Sequence, residues 1–169
     1  MKMITGKILR RVLVLSLVLF NIGCDQVTKS IVRKHVDYNE SIKIISNNFT
    51  LTKVENSGAF LSSGEALPVP VKFVLLSLLP LFVLGFGIYY ILSKTELDRL
   101  LIVGVSFVIG GGIGNLYDRL LYGSVTDFLH IDFGIFQTGV FNIADVSIMI
   151  GMLMILTHLY FKRATPELA

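Results

Sequence analysis

The sequence predicts a mainly α-helical membrane protein with four transmembrane helices and a small β-sheet outside the membrane. Of its 169 residues, 53% are hydrophobic and only 16% are charged, whereas soluble domains carry roughly a quarter charged residues. The mean hydropathy is +0.74. Four apolar stretches are each long enough to cross a bilayer core of roughly 30 Å, at about residues 12–30, 71–93, 100–117 and 140–161. We expect a single membrane domain over residues 1–169, with outer-face loops at about 31–70 and 118–139.

Charge and cysteine content exclude several classes of function. The formal net charge is +3, and the basic residues flank apolar runs without interleaved aromatics. This pattern is typical of membrane orientation signals and not of nucleic-acid binding. Cys24 is the single cysteine, and neither a CxxC nor an HExxH motif occurs, so the usual redox and zinc signatures are missing. We expect membrane lipid as a partner, and no nucleic acid, metal or cofactor.

The first apolar run, residues 12–23, follows four basic residues and predicts either a signal peptide or a first transmembrane helix. It ends in Asn-Ile-Gly-Cys, which resembles the lipobox of bacterial lipoproteins, although Asn21 stands where that pattern usually has leucine. Asp25 and Lys29 follow one helical turn apart. Their spacing favours a helix that continues through Cys24 as a packed small residue, so we expect no cleavage there.

Residues 37–60 predict a small sheet outside the membrane. Ile42, Ile44 and Ile45 precede a predicted turn at Asn47-Asn48, and FTLTKVE then alternates with period two. The sequence NSGAFLSSGEALP comes next, and its Gly, Ser and Pro content predicts a loop or a short surface helix. No separate domain is expected here.

The second and third spans carry helix-modifying residues. Pro80 predicts a kink in the second span. In the third span, Gly110 and Gly114 form a small-xxx-small pair that favours close helix packing in lipid. Gly111 lies one turn before Asn115, so this face also offers a bare groove that could receive a peptide. The two interpretations, packing and peptide binding, remain open from the sequence.

Charge asymmetry predicts the orientation of the chain. Four spans place both termini on one side of the membrane, and the short segments on that side hold eight basic residues: Lys2, Lys7, Arg10, Arg11, Lys94, Arg99, Lys162 and Arg163. The opposite loops hold fewer basic residues spread over more sequence. That first side is therefore expected to be cytoplasmic, and the stretch from Gly110 to Asp145 is expected to face outward.

The stretch from Gly110 to Asp145 places polar and charged groups next to apolar membrane segments. Burying such groups in a membrane costs free energy unless they are paired, so their default interpretation is functional. The five residues are Asp118, Arg119, Asp127, Asn142 and Asp145. Asp118 lies beside Arg119, and a nearby cation keeps a carboxylate ionised, which favours a structural role. Asn142 precedes Asp145 by one turn and can hydrogen-bond it or cap the last helix. Both roles are compatible.

Asp127 and Asp145 are the candidate catalytic pair. Asp127 lies on a predicted strand and shares a face with Leu129 and Ile131, whereas Asp132 points to the opposite face. Asp145 lies about one turn inside the last span. Two nearby carboxylates tend to share one proton, which provides a base to activate water and an acid to polarise an amide.

Other mechanisms fit the sequence less well. His35, His130 and His158 fall in different segments, which disfavours a serine or histidine nucleophile scheme, and only the Asp pair with His130 could approach a metal site. A small transporter or channel subunit would need a charged pathway across the membrane, and the acids cluster at one interface. A lipid-anchored binding protein would require lipidation of Cys24 and leaves three spans unexplained.

Five ordered motifs resemble those of the bacterial lipoprotein signal peptidases, also called signal peptidase II or peptidase family A8. They are DQVTK from Asp25, ENSGAF from Glu55, GGGIGNLYDR from Gly110, VTDF from Val125 and FNIAD from Phe141. The resemblance covers nearly the whole chain and implies a four-span aspartic endopeptidase. Such an enzyme cleaves diacylglyceryl-modified prolipoproteins just before the lipidated cysteine, at the outer (periplasmic) face of the bacterial inner membrane, with both termini cytoplasmic.

The resemblance also implies roles for individual residues. Asp127 and Asp145 become the catalytic dyad, with no cofactor, and a monomer is expected. Five residues are implied to bind substrate or support the dyad: Asn56, Gly58, Asn115, Arg119 and Asn142. Five more are implied to support the site structurally: Asp25, Lys29, Gly111, Asp118 and Ala144. The segment Phe49–Glu55 would be the family's extramembrane cradle, and the region after Asn56 its surface helix.

Overall fold

The computed structural model describes residues 2–38, 40–45, 48–59, 63–94 and 96–164, apart from the side chains of residues 2–6 and 164. Its elements, in chain order, are α1 (Lys2–His35), β1 (Ser41–Ile45), β2 (Phe49–Asn56), α2 (Val69–Phe73), a π-helical turn (Val74–Leu78), α3 (Leu79–Ser93), α4 (Arg99–Tyr122), β3 (Val125–Ile131) and α5 (Ile143–Ala164). The mainly helical fold and the small three-stranded sheet are confirmed, whereas the number of membrane spans is a separate question.

Helix α1 continues without a break through Cys24 to His35, as the Asp25 and Lys29 spacing predicts. One face of the helix is buried, with residues spaced three or four apart in the manner of a helix stripe. That face carries Val14, Val18, Asn21, Asp25, Lys29 and Val32, and buried Val36 follows directly after the helix. Large apolar side chains such as Leu19 and Phe20 point outward and are 67% and 65% exposed. The buried face of α1 therefore combines valines with polar residues, and its large apolar side chains face outward.

Helix α4 is the centre of the bundle and contacts α1, α3 and α5. Glycines make these contacts close. A Cβ on Gly110 would lie 2.6 Å from Asn21 Cβ, and one on Gly114 would lie 2.5 Å from an oxygen of Asp25. On the other side, a Cβ on Gly111 would collide with the carbonyl oxygen of Ala144. The groove interpretation of Gly111 is therefore wrong, because α5 already fills that face.

Replacing Gly111 by alanine is expected to destabilise the protein, because the new methyl group meets rigid backbone of α5 and not a flexible side-chain end. Overpacking of this kind costs about 1–3 kcal/mol, and thermal unfolding in detergent would measure the lowered Tm. Gly23→Ala is the matched control, because a Cβ there has nothing within 4 Å. An unchanged Tm in Gly111→Ala would show that the two helices separate without cost.

The helix pattern changes just before Pro80. Residues Val74–Leu78 form a π-helical turn, and Pro80 stands in the first turn of α3, where its missing N–H removes no helical hydrogen bond. The chain therefore accommodates the proline by widening the preceding turn. A π-helical turn thus lies directly before the position of the predicted kink, and the kink itself stays a prediction.

The sheet is antiparallel with the order β1-β2-β3. Both strands predicted between residues 37 and 60 are present, and β3 confirms the strand predicted around Asp127. Asn47 of the predicted turn lies outside the described residues, as do residues 60–62. The described residues 57–59 and 63–68 form bends and turns, so the loop alternative holds for them and the implied surface helix is not found there.

Three helical segments are long and apolar enough to cross a membrane, among the residues that the structure describes: Val69–Ser93, Arg99–Tyr122 and Ile143–Arg163. They correspond to the second, third and fourth predicted spans. Helix α4 continues past the predicted end at residue 117 to Tyr122, so Asp118 and Arg119 are helical. Helix α1 is not among these three segments. The first predicted span, at about residues 12–30, therefore stays a prediction.

Two polar contacts join neighbouring helices at one end of the bundle. Arg10 Nη2 donates a hydrogen bond to the carbonyl oxygen of Ile91, which joins the start of α1 to the end of α3. His158 Nε2 lies 3.5 Å from Asp98 Oδ2, which joins the end of α5 to the start of α4. The sheet and the acidic residues of the candidate site lie at the opposite end of these helices.

Candidate active site

The N-terminus of α5 carries a reciprocal capping arrangement. The backbone N–H of Asp145 donates to Asn142 Oδ1 at 3.0 Å, and the backbone N–H of Asn142 donates to Asp145 Oδ2 at 3.1 Å. This is a capping box with aspartate at the third helical position. Both interpretations of Asn142, as helix cap and as partner of Asp145, are therefore confirmed. These two hydrogen bonds hold the Asp145 side chain at the N-terminus of α5.

Asp127 reaches the same place from β3. Its side chain is 4% exposed and accepts two amide hydrogen bonds, from Asn142 Nδ2 at 2.6 Å and from Asn56 Nδ2 at 3.1 Å. The register pairs Val54 with Asp127 and Asn56 with Val125, so Asn56 and Asp127 share one face of the sheet. Pairing of β2 with β3 therefore brings these two side chains together.

Two asparagines link the carboxylates. Asn142 Nδ2 donates both to Asp127 and to Asn115 Oδ1, the latter at 3.1 Å. Asn115 Nδ2 in turn donates to Asp145 Oδ1 at 2.8 Å. A chain of amides from α4 and α5 thus holds Asp127 and Asp145 in one polar cluster. Each carboxylate keeps a fixed position while the two remain separate hydrogen-bond acceptors.

Burial raises the pKa of Asp127 from 3.8 to about 6. The main cause is desolvation, which disfavours the charged carboxylate. The hydrogen bonds from Asn56 and Asn142 act in the opposite direction, and the charge of Asp145 raises the pKa further. Asp127 therefore retains its proton at a higher pH than an ordinary aspartate does.

A buried charge cluster of Lys29, Asp25 and Asp118 lies next to this site. Lys29 Nζ lies 2.8 Å from Asp25 Oδ2, 3.1 Å from Asp118 Oδ2 and 2.8 Å from Asn115 Oδ1. All three charged side chains are fully buried. The ammonium group thus has three acceptors, as many as it has donors. Because Asn115 also holds Asp145, the cluster connects directly to the candidate dyad.

Asp25 also anchors α5. Its Oδ1 accepts the backbone N–H of Ala144 at 3.0 Å, and Ala144 is fully buried. A carboxylate at a helix N-terminus satisfies an unpaired N–H and favours the positive end of the helix dipole. Helix α5 is therefore positioned by two acidic residues, Asp25 from α1 and its own Asp145.

Arg119 and Gly58 lie at the edge of the site. Arg119 Nη2 donates to the carbonyl oxygen of Gly58 at 3.0 Å, and the N–H of Gly58 donates to Asn56 Oδ1 at 2.9 Å. Arg119 Nε is buried and has no hydrogen-bond partner among the described residues. These contacts tie the segment after β2 to the end of α4. The residues predicted to form or support the site therefore meet in one region, whereas Asp132 and the histidines are not part of it.

Three residues in the network received no role from the sequence. Gln26 Nε2 donates to Asp25, to Asp118 and to the carbonyl oxygen of Gly114. Arg33 pairs with Asp118 at 2.8 Å, and its Nε donates to Thr126 Oγ1. A glutamine in an apolar helix is a visible signal that could have pointed to Gln26. The roles of Arg33 and Thr126 depend on tertiary contacts with no local signature.

A metal alternative finds no geometric support in the described part of the chain. Within it, no group of three or more His, Cys, Asp or Glu side chains converges as a metal-binding cluster. Asp132 is turned away from the site, and its Oδ1 accepts the N–H of Gly134.

Solved structures with the same fold are membrane enzymes. One, described as a bacterial membrane enzyme structure by the in meso method at 2.3 Å resolution, has a TM-score of 0.81 and 25% identity, covering 92% of each chain. Another of the same description, at 1.9 Å resolution, has a TM-score of 0.76 and 25% identity, covering 86% of this chain and 91% of the other. The fold and its buried polar site define a helical membrane enzyme.

Sequence relatives place the chain within that class. Residues 17–161 match the family model of signal peptidase (SPase) II. The lipoprotein signal peptidase of Clostridium novyi (strain NT) is 34% identical over 140 residues, or 82% of this chain and 91% of the relative. That of Geobacillus kaustophilus (strain HTA426) is 35% identical over 143 residues, or 85% and 89%. The chain belongs to the signal peptidase II family and is therefore a membrane protease.

Proposed function

We propose that this protein is an aspartic endopeptidase that removes signal peptides from diacylglyceryl-modified prolipoproteins, cutting just before the lipidated cysteine. Family membership supports the reaction class. One observation supports the mechanism: Asp127 from β3 and Asp145 from α5 are held in one cluster by Asn142 and Asn115. Two carboxylates brought together from separate elements are the arrangement that aspartic peptidases use.

In this mechanism one carboxylate acts as general acid and the other as general base. Asp127, whose pKa is raised to about 6, holds the shared proton and donates it toward the oxygen of the scissile carbonyl. Asp145 is the more exposed of the two and accepts a proton from water, whose oxygen then bonds to the carbonyl carbon. When the C–N bond breaks, the amine of the lipidated cysteine takes up the proton held by Asp145, and a hydroxyl of the tetrahedral intermediate returns a proton to Asp127 as the new carboxyl group forms. No covalent bond forms between enzyme and peptide.

The supporting residues fit this reaction. Asn142 donates a hydrogen bond to Asp127 and accepts one from the backbone N–H of Asp145 as the cap of α5. A displacement of Asn142 would therefore move both carboxylates. Arg119 and Gly58 lie beside the dyad, and the unpaired Arg119 Nε is available for a substrate carbonyl. We assign the peptide-binding role to this edge of the site, and to Asn56 the task of holding Asp127.

We further propose that α1 also crosses the membrane, which gives the protein four spans. The site then faces outward from the bacterial inner membrane, and both termini are cytoplasmic. The outward apolar side chains of α1 fit contact with lipid, since its polar face is packed against α4. The basic residues at the opposite end of the bundle support the orientation through the positive-inside rule. In this arrangement a peptide bond beside a membrane-anchored cysteine reaches the dyad.

The proposed division of roles predicts a pH dependence. Because Asp127 must carry its proton, kcat/KM is expected to decrease as pH rises through about 6, the pKa of this group in the free enzyme. Initial rates of signal-peptide release from a diacylated prolipoprotein, measured between about pH 5 and 8, would show this limb. A kcat/KM that stays constant over that range would contradict the assignment of the proton to Asp127.

Purified protein and a synthetic diacylated peptide test the proposed reaction as a whole. The expected product is the free signal peptide, with the lipidated cysteine as the new N-terminus of the other fragment. The same peptide without the lipid is the matched control and should be cleaved poorly. Intact-mass measurement of the enzyme provides a second check, because a lipidated Cys24 at its N-terminus would contradict α1 as a retained span.

A further inference from the structure

A second polar cavity lies on the other face of the sheet from Asp127. Glu55 pairs with Thr126, the neighbour of Asp127, and successive residues of a strand point to opposite faces. The cavity has a volume of about 260 Å³ and is lined by Arg33, Tyr38, Lys53, Glu55, Tyr122 and Ser124. None of these six residues is part of the proposed dyad or its asparagine links.

The two cations of this cavity differ in how their charges are compensated. Lys53 is 8% exposed, and within the described part of the chain it forms no ion pair; its Nζ lies 4.2 Å from the centre of the Tyr38 ring. Arg33 lies 4.1 Å from the centre of the Tyr122 ring. Its Nη2 forms an ion pair with Asp118 at 2.8 Å, and the Arg33 side chain is 19% exposed. Lys53 is therefore the cation of this lining that has no ionic partner among the described residues.

The single acid of the cavity is already engaged. Glu55 Oε1 accepts from Thr126 Oγ1 at 2.8 Å, and its Oε2 accepts from Ser124 Oγ at 2.6 Å. Because Asp118 compensates Arg33, the charge left without an ionic partner in this lining is that of Lys53. A ligand with one negative charge and several acceptor oxygens would neutralise it and satisfy the free N–H groups.

Exposed apolar side chains are present near the ends of α1 and α4, the helices that contribute Arg33 and Tyr122 to the cavity. Ile31 is 53% exposed, Leu121 58% and Tyr122 54%. Tyrosines beside apolar surface are typical of the level of lipid headgroups, and lysine and arginine attract anionic headgroups there. The cavity is smaller than the roughly 300–1,000 Å³ of pockets for drug-sized ligands, which suits a phosphate with a small alcohol.

We propose that this cavity binds a phosphodiester monoanion, with Lys53 and Arg33 as its charged donors. A membrane phospholipid headgroup and a soluble glycerophosphodiester share this chemistry. Binding would place the ligand against the outer face of the sheet, across from Asp127. This inference does not depend on the proposed mechanism, and its test requires no turnover.

The test measures ligand binding to the full-length purified protein by native mass spectrometry. The three probes are a short-chain phosphatidylglycerol, the diacylglycerol with the same chains, and soluble glycerophosphoglycerol. Phosphatidylglycerol is expected to bind more tightly than diacylglycerol. Lys53→Met should weaken its binding about tenfold or more, the effect of losing one charge-assisted hydrogen bond. Lys53→Arg should retain binding, and Lys43→Met, on the exposed strand β1, is the matched control.

The outcomes separate the sources of the ligand. If glycerophosphoglycerol also binds with the same dependence on Lys53, the site takes a soluble phosphodiester; if only the lipid does, it takes a membrane headgroup. Equal binding of diacylglycerol and phosphatidylglycerol, or wild-type affinity in Lys53→Met, would overturn the proposal. Should Lys53→Met fail to fold, Tyr38→Ala, at an exposed position, provides a second variant that must weaken binding in the same direction.

Discussion

Asp127→Asn is expected to reduce signal-peptide release by about a thousandfold or more, because the variant has no proton to donate to the scissile carbonyl. The fold should survive. Asn56 and Asn142 each donate to Asp127, so the amide loses one acceptor, but the change also removes a buried charge. We therefore expect a Tm close to that of the wild type at neutral pH.

The sign of the stability effect follows from the raised pKa. The folded state binds the Asp127 proton up to about pH 6, whereas the unfolded chain releases it near the ordinary value of 3.8. Stability from this group is therefore present below pH 3.8 and is lost as pH rises to about 6. Asp132→Asn is the matched control, since Asp132 is turned away from the site. Release by Asp127→Asn within tenfold of the wild type would rule out the proposed acid.

Lys29→Met is expected to cause the largest loss of stability, about 3–5 kcal/mol, because it leaves buried charges without their partner. Its ammonium group bridges Asp25 and Asp118, and all three side chains are fully buried. Asn115 also loses a donor, so activity should decrease through displacement of Asp145. Unfolding in detergent with increasing denaturant would measure the change.

Lys34→Met provides the control for that variant, since Lys34 lies on the same helix but is exposed. Its free energy of unfolding should remain within about 0.5 kcal/mol of the wild type. If Lys29→Met were equally harmless, the buried cluster would carry no net stability, and its role in holding α5 would have to be abandoned.

The parts of the fold with local signals could be predicted from sequence. Period-two alternation predicted β2, and the spacing of Asp25 and Lys29 predicted that α1 continues past Cys24. Asn142 and Asp145 form a capping box within four residues, so their contact also has a local signature. These features depend on neighbours in the chain, which is why the sequence contains enough information for them.

Features that depend on distant contacts were not predictable in the same way. The sequence predicts an open groove at Gly111, because nothing local indicates that Ala144 of α5 packs against it. The end of α4 at Tyr122 is set by Gly123 in a left-handed conformation, with φ of 75°, five residues later than expected. Arg33 reaches Thr126 across 93 residues. Such pairings arise only when the helices and the sheet assemble.

The claim that two carboxylates act together is tested most directly by Asp145→Asn. Loss of Asp127 alone would fit any mechanism that uses one acid, whereas a requirement for Asp145 is specific to a pair. The measurement is the initial rate of signal-peptide release from a diacylated prolipoprotein by purified, folded protein in detergent. The proposed mechanism predicts a decrease of about a thousandfold or more, whereas the loss of one hydrogen bond at the start of α5 lowers the free energy of unfolding by only about 0.5–2 kcal/mol. Turnover near the wild-type rate would contradict it.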